Sequence, residues 1–193
     1  MHSGRFKHTI NILFLKYKSS KMTKSDLNPS EFDMYYLRYI DKLSNKTKLR
    51  RGFETGKDTL IDFFETIPNE KLSHRYQPDK WSIKEVLQHL IDTERIFIYR
   101  CFRIARRDAT ALSGFDQDTY VEPSGADDKS MEDLLNEFTM NRNNSISLLN
   151  GLTDENLSFI GNSNGCDMSA RAAAFTILGH DIWHMEVIQK NYL

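Results

Sequence analysis

His180 and His184 stand four residues apart in the segment GHDIWH, and a third histidine, His89, lies in WSIKEVLQHLIDTER. Side chains four apart on a helix project from one face, so His180 and His184 can share a metal ion. An imidazole from a second helix would complete a three-nitrogen site. Three protein ligands leave a coordination position open, as catalysis at a metal requires. The spacing leaves a second reading in place, because H-x-x-x-H recurs by chance. Two histidines on an apolar stripe can also be core residues hydrogen-bonded to neighbouring helices, since a buried imidazole needs polar partners of some kind.

The stripe carries Ala173, Thr176, Ile177, Val187 and Ile188 beside the two histidines. The pair therefore faces inward from a helix expected to start at a Ser169 cap and to run, with Arg171 near its beginning, almost to the C-terminus. His89 belongs to another helix, whose start is marked by the capping box Ser82-x-x-Glu85, with Trp81 and Val86 in the hydrophobic staple positions. Apolar residues recur along it at helical spacing from Ile83 to Ala105. His89 lies at the edge of that stripe, on a line with Ser82, Glu85, Thr93 and Ile96, where a cleft wall would be. Asp92 follows one turn on. It is placed either to orient an imidazole or act as a base on a metal-bound water, or simply to be solvated.

Two further long helices are expected. One runs from about Lys48 to Thr66 and is stopped by Pro68. Its Gly52 and Gly56 cost about 1 kcal/mol each against alanine, which marks close packing. The other runs from about Ser130 to Asn150, with acidic residues in its first turn and Gly151 at its end. Tyr35, Tyr36, Tyr39 and Ile40 suggest a short aromatic helix, and Thr153 with Asp154 and Glu155 a helical turn. A long loop is expected after Asp108, through Gly114, Pro123 and Gly125, and a second loop at GNSNGCD. No strand is expected. Four long amphipathic helices in one domain make an all-α four-helix bundle with a short extra N-terminal helix. The domain spans residues 28–193. Residues 1–27 read as a disordered arm or extension, in which Met22 is a plausible alternative start.

With 193 residues the chain fits one domain. Its 26 basic and 27 acidic residues give a net charge of -1, so no global field draws it to nucleic acid or an anionic membrane. The segment RIFIYRCFRIARR alternates basic and aromatic residues, but its apolar members sit at core spacing. Cys101 and Cys166 make no disulfide framework, and a reducing cytoplasm fits. The apolar run Ile10 to Leu15 is too short for a targeting signal. No run approaches the roughly 20 apolar residues of a membrane span.

Four segments, WSIKEVLQHLIDTERIFIYRCFRIARRD, LSGFDQDTYV, SARA and GHDIWHMEVI, arrive in this order. Together they resemble the DinB-like superfamily, most closely its YfiT-like metal-dependent hydrolases, over roughly residues 28 to 193. The resemblance implies a four-helix bundle that forms homodimers and holds a divalent metal on His89, His180 and His184. Many relatives carry a further histidine where Trp183 stands, so Trp183 reads as packing or a cavity wall. Zinc and nickel both suit imidazole ligands. Some relatives are similar to low-molecular-weight thiol S-transferases and others to hydrolases. The implied function is therefore hydrolysis or thiol S-transfer on a small electrophilic substrate. Arg171 is the candidate for an anionic cofactor, ahead of Arg95, Arg100 and Arg103, which otherwise read as solvated or paired with Asp92, Glu94 and Asp181. The alternative to an enzyme is a non-catalytic, metal-stabilised helical-bundle dimer.

Overall fold

The computed structural model describes residues 21–193. As far as residue 20, the expected N-terminal arm lies outside the described residues. Of the remainder, residues 22–27 lie against the fold. Met22 is buried, its carbonyl accepts from the Leu49 amide at 3.0 Å, and Thr23 bridges to Lys48.

The helices, in chain order, are α1 (Leu37–Ile40), α2 (Leu49–Glu65), α3 (Ile83–Ala105), α4 (Asp118–Ser124), α5 (Met131–Asn150), α6 (Asp154–Leu157) and α7 (Ala170–Asn191). A two-stranded hairpin, β1 (Ile160–Ser163) and β2 (Cys166–Ser169), comes between α6 and α7. Three of the four long helices, α3, α5 and α7, start where side-chain caps stand. Ser82 accepts from the Glu85 amide at 3.1 Å while Glu85 accepts from the Ser82 amide at 2.7 Å, and Ser82 also bonds Asp127. Ser130 and Ser169 cap α5 and α7 in the same way, accepting from the amides of Asp133 and Ala172 at 3.0 Å each. Each cap satisfies an amide that would otherwise lack a partner.

The four long helices form the bundle. Helix α3 packs on α7 and α5, and α2 packs on the same two, so each helix flanks two neighbours. Helix α1 lies across α7. There Gly179 removes the obstacle to close approach, because a Cβ at that position would collide with the Tyr39 carbonyl. Gly52 does similar service for α2, since a Cβ there would meet Leu178 of α7 at 2.7 Å.

Two expectations need correction. The GNSNGCD stretch is not a loop but the antiparallel hairpin, with Ser163 opposite Cys166 across a two-residue turn. Asn164 (φ 56°) and Gly165 (φ 81°) both take left-handed conformations, as a type I′ turn demands. The long loop after Asp108 is also structured. Leu112 pairs with the hairpin through Leu112 N to Asn162 O at 3.1 Å and Asn164 N to Leu112 O at 2.8 Å, and helix α4 follows.

The core falls into two apolar halves. One gathers Phe53, Phe97, Cys101, Ile104, Phe175 and Leu178; the other gathers Leu60, Phe64, Leu87, Leu90, Phe138 and Ile188. On each long helix, residues near the N-terminal and C-terminal ends go to different halves. The boundary holds buried polar residues: His89, Thr93, Glu94, Arg142, His180, Asp181 and His184. The candidate site belongs to that layer.

Candidate metal centre

Helices α3 and α7 bring the three histidines to one point. The Nε2 atom of His180 lies 3.1 Å from that of His89 and 3.1 Å from that of His184. All three imidazoles are buried. A hydrogen-bond account of the cluster is incomplete, because a neutral imidazole nitrogen either donates one hydrogen or accepts on one lone pair. His180 Nε2 cannot bond well to both neighbours. A shared cation resolves the conflict, and nitrogens on a tetrahedral zinc ion with bonds of about 2.0–2.1 Å stand roughly 3.3 Å apart. The three residues fit such an ion.

Electrostatics agree with geometry. Burial holds the His89 imidazolium down to about 4, and burial with the neighbouring imidazoles holds His180 and His184 well below their usual value. All three rings are therefore neutral at pH 7, with lone pairs free to ligate. Behind them, Thr93 Oγ1 stands 3.4 Å from His89 Nδ1. The Nδ1 of His184 is buried and has no hydrogen-bond partner among the described residues.

Aromatic rings wall the cluster. Tyr39 meets His180 edge to face at 5.0 Å, Trp183 meets Tyr39 at 5.7 Å and His184 at 4.7 Å, and Trp81 lies 4.6 Å from His89. Trp183 thus packs against a candidate ligand. Behind the cluster lies a buried ion triad. Arg142 of α5 bonds Glu94 of α3 at 2.8 and 3.0 Å and Asp181 of α7 at 2.6 Å. His180 and Asp181 are successive residues, so α7 turns one toward the cluster and the other toward the triad.

A cavity of about 340 Å³ opens from His180. Its walls include Tyr36 and Tyr39 from the N-terminal turns, Thr93, Phe97 and Arg100 from α3, Phe115 and Gln117 from the segment before α4, and Ser163 and Cys166 from the hairpin. That size suits a small molecule. Burial raises both tyrosine hydroxyls above their usual pKa, so they stay protonated and can donate.

The other residues singled out from the sequence are placed as follows. Asp92 shares a narrow cleft with His89 beneath Phe115, Gln117 and Tyr120. Its carboxylate accepts from Gln88 at 3.1 Å and from Arg95 at 2.9 Å. His89 Nδ1 faces Thr93 rather than Asp92. Arg171 is not at the cavity. It makes a two-pronged pair with Glu31, 2.8 Å from Nε and 2.5 Å from NH2. Arg95 is also spoken for, by Asp92 and Glu137, and Arg103 pairs with Asp108. Of the four arginines considered, Arg100 lines the cavity. Tyr39, Ser163 and Gln117 reach the site from segments that spacing on α3 and α7 does not reveal. The Asn164-Gly165 dipeptide was the available signal for Ser163, since it fixes the hairpin.

No curated protein matches the sequence. Among solved structures the fold is similar to YfiT from Bacillus subtilis, described as "a probable metal-dependent hydrolase with an unusual four-helix bundle topology". The TM-score is 0.66 at 16% identity, over 91% of this chain and 94% of that one. Residues 53–188, well over half of the chain, match the family model of the DinB superfamily, and the chain belongs to that superfamily.

Proposed function

We propose that the chain is a metal-dependent enzyme acting on a small electrophilic substrate, with His89, His180 and His184 as ligands of one divalent ion. The observation that carries this reading is the meeting of three neutral Nε2 atoms in a cluster whose His180 lines a cavity large enough for a small molecule. The description of YfiT as "a probable metal-dependent hydrolase" supports it. When bound, such an ion supplies Lewis acidity and lowers the pKa of a water or thiol. Neutral ligands leave its charge undiminished. Zinc and nickel fit the donor set equally.

The residues of the chain supply the rest. The Tyr36 and Tyr39 hydroxyls donate to a substrate oxygen. Phe97, Phe115 and Trp183 exclude water. Asp92 is the proton acceptor on the opposite side of His89, reached across the narrow cleft they share. The two chemistries open to this site, hydrolysis and transfer to a low-molecular-weight thiol, differ only in the nucleophile. A purely structural metal would not need a cavity at its ligands, and this observation favours the enzyme over the metal-stabilised dimer.

Elemental analysis of protein purified without a nickel column tests the site. About one equivalent of metal is expected in the wild type and almost none in His184→Ala. Two preparations equally devoid of metal, even after dialysis against zinc and nickel, defeat the reading. Assays of the loaded protein on activated esters, and on model electrophiles with and without a thiol, then separate the two chemistries.

A further inference from the structure

The end of the cavity away from the histidines contains a buried positive charge that the fold does not neutralise. Arg100 is 2% exposed. Among the described residues it makes no ion pair with a carboxylate. Its NH2 donates to the Ser113 carbonyl at 2.9 Å, its guanidinium lies over the rings of Phe97 at 4.8 Å and Phe115 at 5.7 Å, and the neutral Tyr36 hydroxyl stands against it without offsetting its charge. The NH1 atom is buried without a hydrogen-bond partner. Ser163, 1% exposed on the hairpin, has a buried hydroxyl that likewise lacks a partner. Both residues line the same cavity.

Buried guanidinium groups are ordinarily paired, because an uncompensated charge in an apolar setting is expensive. The contrast with Arg142, which two carboxylates neutralise in the same protein, is informative. We propose that Arg100 and Ser163 form a carboxylate-binding subsite, so that the substrate of the metal centre carries a carboxylate at the end remote from its reacting group. This rests on the metal-enzyme reading for the word substrate, although the subsite itself does not require the metal. One guanidinium edge and one hydroxyl match the two oxygens of a single carboxylate. A phosphate dianion would bring a second charge that no other cationic side chain lining the cavity meets.

Helix α3 also sets the length of the ligand. His89, Thr93, Phe97 and Arg100 follow one another along one face at spacings of four, four and three. The guanidinium folds back over Phe97, eight residues or about 12 Å of helix from His89. A ligand joining the two ends is therefore extended, with an apolar middle against Phe97 and Phe115.

Calorimetric titration tests the subsite with acetate, butyrate and hexanoate, and with the amides of the same acids as neutral counterparts. It is run on the protein as purified and again after chelation. Hexanoate is expected to bind both preparations at least about tenfold more tightly than hexanamide, as loss of a charge-assisted bond implies. Arg100→Met should remove that preference, and Ser163→Ala should weaken hexanoate by several fold. Equal binding of acid and amide by the wild type, or no binding of any of the acids, overturns the proposal whether or not the variants fold. So does an Arg100→Met protein, folded by circular dichroism, that keeps the preference. Preference in the loaded protein that vanishes on chelation assigns the carboxylate to the metal and also overturns it. Binding retained after chelation in a protein that never holds metal sustains the subsite while the metal reading fails.

Discussion

At the cluster itself, the three imidazoles differ in what stands behind them. His89 has the Thr93 hydroxyl at its Nδ1, whereas the Nδ1 of His184 has no partner among the described residues. A partner at the far nitrogen fixes ring orientation and raises ligand basicity, and its loss commonly lowers metal affinity 10- to 100-fold. Thr93→Val should therefore weaken metal binding by about tenfold in competition with a chromogenic chelator, while the metal-free melting temperature stays within about 4 °C of wild type. Unchanged affinity would show that the hydroxyl does not orient the ring. The histidines themselves were legible in the sequence, because residues four apart on an apolar stripe must share a face. Arg171 was misleading for the opposite reason. Its partner Glu31 lies 140 positions away, and nothing local to α7 announces it. Arg100 and Arg103 sit one turn apart and look alike in the sequence. Only the packing of the hairpin and the segment before α4 makes one a cavity wall and leaves the other on Asp108.

Among the elements, three of the four long helices were readable because their caps are local chemistry, and α2 was readable from its spacing and the Pro68 stop instead. Ser82 with Glu85, Ser130 and Ser169 each stand where a helix begins. The hairpin was not read, since its strands have four residues each and do not alternate cleanly between apolar and polar. Its turn, Asn164-Gly165, was nevertheless plain. Helix α1 depends on something no local pattern conveys, which is the absence of a side chain on a different helix. Gly179 lets the Tyr39 backbone lie against α7, and this contact sets the Tyr39 ring beside His180. Gly179→Ala forces the two backbones apart. Overpacking of this kind costs about 1–3 kcal/mol, and denaturant unfolding should show a loss in that range. Because α1 moves with Tyr39, the variant should also admit more water to His180 and hold metal less tightly than its stability loss alone explains. Stability equal to wild type would mean that α1 yields without strain and does not brace the site.

For the molecule as a whole, the polar layer between the two apolar halves is where stability and function meet. Three helices contribute to the ion triad, so no single segment of sequence exposed it, although Glu94 and Asp181 were named as acids that arginines could pair with. Removing Arg142 leaves two carboxylates buried without a cation. Arg142→Ala should cost about 3–5 kcal/mol, far more than an exposed arginine such as Arg107. A loss below about 1 kcal/mol in urea unfolding would contradict a buried pair.

The same layer governs the response to acid. In the metal-free protein the histidines are held below their unfolded pKa of about 6.5, His89 to about 4. Between those values the unfolded chain binds more protons than the folded one, so stability rises with pH and falls on acidification. Asp181 works against this trend. Burial pushes its carboxyl up to about 6, so it takes up a proton in the folded state while the unfolded carboxyl remains charged, and this recovers part of the loss. Three histidines outweigh one aspartate. Chelated protein should unfold at lower urea at pH 5 than at pH 7, and His89→Phe should narrow the gap. Metal-loaded protein should lose more over the same interval, because protons then compete with the ion for its ligands. A chelated protein equally stable at both pH values would mean that folding leaves the imidazoles with their unfolded pKa, which contradicts their burial as neutral rings in one cluster.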